Sequence, residues 1–150
     1  MFEKLDTVVV GGGQAGLAMS YYLKRLRREH AVIERGRVGE RWRSERWDSL
    51  RFQFPSSSIQ LPGYAFQTDD PGGYVPKDEI VRFLDRYATL IDAPLRCGLA
   101  VNALRQSSTS GCLLVETEQG SSFEATNVIV ATGPINGHKF LHSPIRCRLN

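Results

Sequence analysis

Apolar residues fall into short unbroken runs near the start of this chain and into spaced stripes further on, and each rhythm predicts an element. Thr7-Val8-Val9-Val10 is β-branched and continuously apolar, the pattern of a short strand covered on both faces in a parallel sheet. It runs straight into Gly11-Gly12-Gly13. From Ala15 onward, Ala15, Ala18, Met19, Tyr22, Leu23 and Leu26 recur every three or four residues, and Lys24, Arg25, Arg27 and Arg28 crowd the end. The spacing predicts an amphipathic helix whose basic last turns complement its dipole. Ala31-Val32-Ile33 predicts a second buried strand, closed by Glu34. A second helix is predicted over 76–91, with Ile80, Leu84, Tyr87, Ala88 and Ile91 as its stripe and Pro76 and Asp78 as start signals. Runs at 99–104, at 112–117 and around Phe123, separated by turn-forming stretches, predict a small antiparallel β-meander. A further buried strand is predicted over 126–133. Together these elements predict an α/β fold: a doubly wound parallel sheet carrying the meander.

The turn after the first strand reads Gly11-Gly12-Gly13-Gln14-Ala15-Gly16, a GxGxxG. Glycine turns are common, but this one follows a strand, opens a helix and has a carboxylate, Glu34, 18 residues beyond its last glycine. Gly11 permits the tight turn, Gly13 lets the backbone approach a pyrophosphate, and Gly16 allows helix and strand to pack closely. The N–H groups of the helix start, around Gln14 and Ala15, carry positive partial charge toward a phosphate. Glu34 then accepts from ribose hydroxyls and repels a 2′-phosphate, which disfavours NADP and leaves FAD or NAD. The bland alternative is a structural turn followed by an ordinary surface glutamate.

At 150 residues, with 41% hydrophobic and 23% charged positions, the composition is that of one globular domain. A chain of this size holds one real core, not two nucleotide domains and a substrate domain. Net charge is only +3, but residues 24–51 hold ten basic side chains against five acidic ones. Interleaved with acids and following a nucleotide fingerprint, that stretch suits a diphosphate pocket better than a nucleic-acid surface. Cys97, Cys112 and Cys147 stand far apart, so neither a zinc site nor a redox dithiol is indicated. Three early charges, and an apolar stretch interrupted at once by Gly11-Gly12-Gly13, argue against a secretory signal. The uncharged stretch 7–23 is too short and too glycine-rich for a membrane helix, which requires about 20 apolar residues. A soluble protein of the reducing cytoplasm is the expectation.

Glu34-Arg35-Gly36-Arg37-Val38-Gly39-Glu40-Arg41-Trp42 resembles the E-x4-G-G-x-W stretch of flavin-containing and Baeyer-Villiger monooxygenases and their bacterial flavoprotein relatives. The resemblance implies an FAD/NAD(P)-binding, Rossmann-like fold with FAD at the carboxyl ends of the strands. It also implies an adenosine-ribose role for Glu34 and cofactor contacts from Arg35, Arg41 and Trp42. Glu40 departs from the pattern, standing where a second glycine is usual. Arg51 lies where the family often has R-x-D before the flavin ring, with Gln53 in place of the acid. The aromatic-rich segment between Phe52 and Phe66 then suits a loop draped over a cofactor. Tyr74-Val75-Pro76, Phe83-Leu84 and Tyr87-Ala88 are similar to a family helix whose apolar residues read as core. Ala131-Thr132-Gly133 resembles the family's ATG motif beside FAD.

The resemblance spans residues 8–133. A second GxGxxG for NADPH and the F-x-G-x3-H signature do not appear in these 150 residues. The sequence divides into an FAD-binding domain, 1–134, and an unassigned tail, 135–150, in which Leu141-His142-Ser143 receives no role. What is expected is an FAD-binding, monooxygenase-like and NAD(P)H-dependent oxidoreductase part, whose catalysis requires a missing domain or a second chain. The alternatives are a noncatalytic FAD or NAD module, or a truncated product. A disulfide reductase is disfavoured by the lack of CxxC.

Overall fold

The computed structural model describes residues 3–107 and 110–133. In chain order these form β1 (Glu3–Val10), α1 (Gln14–Arg25), β2 (His30–Glu34), α2 (Glu40–Ser44), β3 (Gln60–Leu61), β4 (Tyr64–Ala65), α3 (Lys77–Leu90), β5 (Leu95–Cys97), β6 (Val101–Gln106), β7 (Leu113–Thr117) and β8 (Ser122–Val130). Six strands make one sheet in the order β5-β2-β1-β8-β7-β6, parallel from β5 to β8 and antiparallel beyond. The short β3–β4 hairpin, turning at Pro62-Gly63, stands apart.

Alternation along β1 decides what each face of the sheet covers. Val8 and Val10 join Ala31, Ile33, Val115, Phe123 and Ala125 on one side, while Val9 and Val32 meet Leu23 of α1 on the other. A third cluster joins Leu17 of α1 to Val38, Ile59 and the α3 residues Ile80, Phe83, Leu84, Tyr87 and Ala88. Tyr87 is fully buried, and its hydroxyl donates to the Pro62 carbonyl at 2.8 Å, which ties the hairpin to α3.

Helix α3 matches its predicted stripe, although Ile91 lies just past its end. Helix α1 does not match. Ala15, Tyr22 and Leu26 are exposed, and the buried positions are Gly16, Leu17, Ser20 and Leu23. Gly16 sets this rotation. A Cβ there would stand 1.8 Å from the Gly11 carbonyl oxygen, so the residue lacking one must face the turn. Ser20 is carried inward with it and meets His30 Nε2 at 2.8 Å, which satisfies a buried hydroxyl.

The meander and the returning strand also differ from expectation. The run around Phe123 and the strand predicted over 126–133 are one strand, β8, which ends at Val130. Its first half pairs antiparallel with β7, and it pairs parallel with β1 from Phe123 to Val130. Past Ala125 it is only partly covered: Thr126, Asn127 and Val130 are exposed. Strand β5 and helix α2 were not predicted, since three and five residues are too few to show a period. The 135–150 tail lies outside the described residues.

Candidate functional site

The carboxyl ends of β1, β2 and β8 meet at the glycine turn. Gly11 has φ of +115°, and its N–H donates to the Ile33 carbonyl at 2.8 Å. A Cβ on it would lie 2.4 Å from the Ala131 carbonyl oxygen. Ala131 in turn donates to Val10 at 2.8 Å, so β8 is closed against the turn. Gly11 and Gly16 are therefore packed against backbone, and no side chain fits at either. Gly13 differs: a Cβ there meets nothing within 4 Å. It is the N-cap of α1, which has no side-chain cap, while Gln14 and Ala15 are exposed in the first turn. The start of α1 thus presents backbone donors and the positive end of a 12-residue helix to an open space.

Glu34 borders that space and is buried. Its Oε2 accepts from the Gly12 N–H at 2.7 Å and its Oε1 from the Gly36 N–H at 2.9 Å. The carboxylate therefore joins the glycine turn to the loop after β2. With two oxygens and about four acceptor sites, it keeps capacity for ribose hydroxyls. Gly12, which sequence reasoning gave no role, is closely packed as well: a Cβ there would stand 3.0 Å from Glu34 Cβ, tighter than an ordinary contact.

The loop into α2 is fastened to the same turn by the Gly39 N–H, which donates to the Gly12 carbonyl at 3.3 Å. Glu40, the residue in the usual glycine position, turns its side chain back over Gly36 and accepts from Arg37 Nε at 2.8 Å. The Arg37 guanidinium holds its carboxyl down to about 2. Arg41 lies beside the segment that follows β8: its Nη1 is 3.2 Å from where a Cβ on Gly133 would be. Arg41 Nε also donates to Glu45 at 2.6 Å, and Arg35 donates to that same carboxylate. Glu45 was not singled out from sequence, although its i,i+4 spacing from Arg41 is a readable signal.

Gly11, Gly13, Gln14, Ala15, Gly16, Glu34, Arg41, Ala131, Thr132 and Gly133 are thus gathered at one end of the sheet, and Arg35 is linked to Arg41 through Glu45. Trp42 and Arg51 have other surroundings. The Trp42 ring packs on the α3 cluster, 6.1 Å from Phe52, with the Arg46 guanidinium 5.7 Å above it. Arg51 is exposed and donates to the Tyr74 carbonyl at 2.7 Å, joining its segment to the strand-like stretch before α3. Lys77, also missed, is buried and reaches Asp48 at 3.0 Å and the Arg46 carbonyl at 3.2 Å, pinning the chain after α2 to the start of α3.

The chemistry this end of the sheet offers is recognition of a dinucleotide: donors for a diphosphate, a carboxylate for a ribose and cations beside both. Comparison with known proteins agrees. The pyridine nucleotide-disulphide oxidoreductase family matches residues 8–146. An uncharacterized CzcO-like oxidoreductase of Geobacillus kaustophilus is 37% identical over 131 residues, 87% of this chain and 36% of its own length. The probable indole-3-pyruvate monooxygenase YUCCA3 of Arabidopsis thaliana is 30% identical over 73% of this chain and 25% of its own. The solved flavin-containing monooxygenase of Stenotrophomonas maltophilia superposes with a TM-score of 0.76 at 26% identity, covering 87% of this chain and 39% of that one. The chain therefore spans well under half the length of these relatives. With the family's sequence pattern running through almost all of it and its fold shared with a flavin-containing monooxygenase, the chain belongs to the pyridine nucleotide-disulphide oxidoreductase family, among its flavin monooxygenase-like oxidoreductases.

Proposed function

We propose that residues 1–134 are the FAD-binding module of a flavin monooxygenase-like, NAD(P)H-dependent oxidoreductase acting in the cytoplasm, and that its second nucleotide site is supplied by residues other than these 150. The observation that carries this reading is the division among the motif glycines. Gly11 and Gly16 are closed by backbone, whereas Gly13 faces open space from which a ligand can approach its backbone. No contact within the protein itself calls for glycine at that position.

The residues fit the cofactor. The N–H groups at Gly13, Gln14 and Ala15 would hold the diphosphate, Glu34 the adenosine ribose, and Arg35 and Arg41 the phosphate charge. Ala131, Thr132 and Gly133 would flank the turn, while Trp42 and Arg51 would shape the approach to the ring. Bound FAD supplies an isoalloxazine that accepts a hydride from a nicotinamide. This chain's share is binding, orientation and charge compensation. Hydride delivery calls for a nicotinamide site, and the 150 residues contain one GxGxxG.

The test is the visible spectrum of the gel-filtered chain before and after incubation with FAD. One retained flavin per chain, lost in a Gly13→Val variant whose melt shows it still folded, supports the module; parent protein that retains none contradicts it. Purified chain with FAD should not consume NADPH at a useful rate, and steady turnover would overturn the assignment of the second site to other residues.

A further inference from the structure

Arg35 and Arg41, the two arginines offered to the cofactor, share one counter-ion. Arg35 follows β2 and Arg41 lies in α2, yet both guanidiniums meet on Glu45, the residue after α2. Glu45 Oε2 accepts from Arg41 Nε at 2.6 Å, and its other oxygen, Oε1, accepts from Arg35 Nη2. One carboxylate with an oxygen on each of two guanidiniums presents what a phosphate would present to the same pair. The location suits that comparison. Arg41 stands close to Gly133, just past the end of β8, and the loop leading into α2 is bonded to the glycine turn through Gly39 and Gly12. Water reaches all three side chains, whose exposures are 60% for Arg35, 30% for Arg41 and 37% for Glu45, so these contacts can exchange for others. The Arg41 hydrogen bond lowers the carboxyl's pKa and keeps it ionised at neutral pH.

Resting on the FAD reading, we propose that Glu45 is an internal anion that occupies Arg35 and Arg41 beside the glycine turn and yields them to the incoming diphosphate. Glu45 is then a positioning residue with a cost. It keeps two cations together at the mouth of the cradle, and it competes with the cofactor for them.

FAD is titrated by quenching of its fluorescence into the parent chain, Glu45→Gln, the double variant Arg35→Gln/Arg41→Gln and the triple variant, at low and at high salt. Thermal melts establish that each is folded. Glu45→Gln is expected to bind FAD about two- to fivefold more tightly, the size of one exposed ion pair. Its affinity should fall more steeply with salt, because Glu45 then no longer offsets the charge of the two guanidiniums that meet the diphosphate. The gain should vanish when the double variant is compared with the triple. Adenosine, which has no diphosphate, should bind parent and Glu45→Gln with the same inhibition constant once the change in FAD affinity is allowed for. Equal or weaker FAD binding by Glu45→Gln overturns the proposal, as does a gain that persists without the two arginines. If the parent binds FAD and Glu45→Gln does not differ from it, only this inference falls; a parent that binds no FAD removes the cofactor reading along with it.

Discussion

The glycine turn and the α2 region border the same open space and are held by opposite means. At the turn, close steric contacts hold the chain: Gly11 against the Ala131 backbone, Gly16 against the Gly11 backbone and Gly12 against the Glu34 side chain. Around α2 the contacts are between long charged side chains: Arg37 with Glu40, Arg35 and Arg41 with Glu45, Arg43 with Asp85, and Lys77 with Asp48. Close steric contacts of the first kind have no alternative arrangement. Most pairs of the second kind, the Lys77–Asp48 pair apart, are open to water, individually weak and exchangeable. Rigid donors on one side and adjustable cations on the other suit a ligand whose diphosphate must be placed and whose charge must be met.

The largest expected effect is at the closed glycines. Gly11→Ala or Gly16→Ala should cost roughly 3 kcal/mol or more, since each Cβ meets backbone and Gly11 also has positive φ. A melting temperature unchanged from the parent would show that the turn relaxes and is not braced as described. Next, Leu84→Ala should cost about 2–5 kcal/mol by opening a void under Gly39, where the Leu84 side chain now closes the α2 entry. If its FAD affinity falls only as far as its stability, α2 is a passive support.

Smaller effects probe the chemistry of the rim. Cys97 sits beside Glu34 in the β5–β2 register, and burial, with the Glu34 charge, pushes its thiol above the ordinary value. Its alkylation should therefore rise steeply with pH and slow several-fold with bound FAD; a rate indifferent to FAD would move the adenosine end elsewhere. The smallest effect is at Glu40. Its folded pKa of about 2 lies below the unfolded value, so its pairing stabilises above roughly pH 4.5 and is lost as pH falls toward 2. Glu40→Gln should flatten that part of the stability curve, and an unaltered curve would mean that Arg37 contributes nothing to folding.

How much of this was readable depended on the length of each pattern. The Val8–Val10 run, the GxGxxG and the α3 stripe each extend over enough residues to show a period or a fixed spacing, and they gave the sheet core and the turn. The α1 stripe was misread because apolar spacing alone ignores Gly16, whose missing Cβ decides the helix rotation more strongly than Ala15 or Tyr22 can. Strand β5 has three residues and no period at all. Glu45 and Lys77 were missed for another reason: the partners that define them, Arg35 and Asp48, lie 10 and 29 positions away.

The pairing of β8 with β1 also orders events in time. Val10 and Val130 are neighbours although about 120 positions separate them, so the contact of Ala131 on Gly11 forms only after nearly all of the described chain exists. Closing so long a loop is slow compared with forming α1 or the β6–β7 hairpin. During synthesis, the glycine turn would therefore be the last of the described parts to set, and a nascent chain stalled before residue 131 would carry the complete glycine fingerprint without the wall that gives it shape.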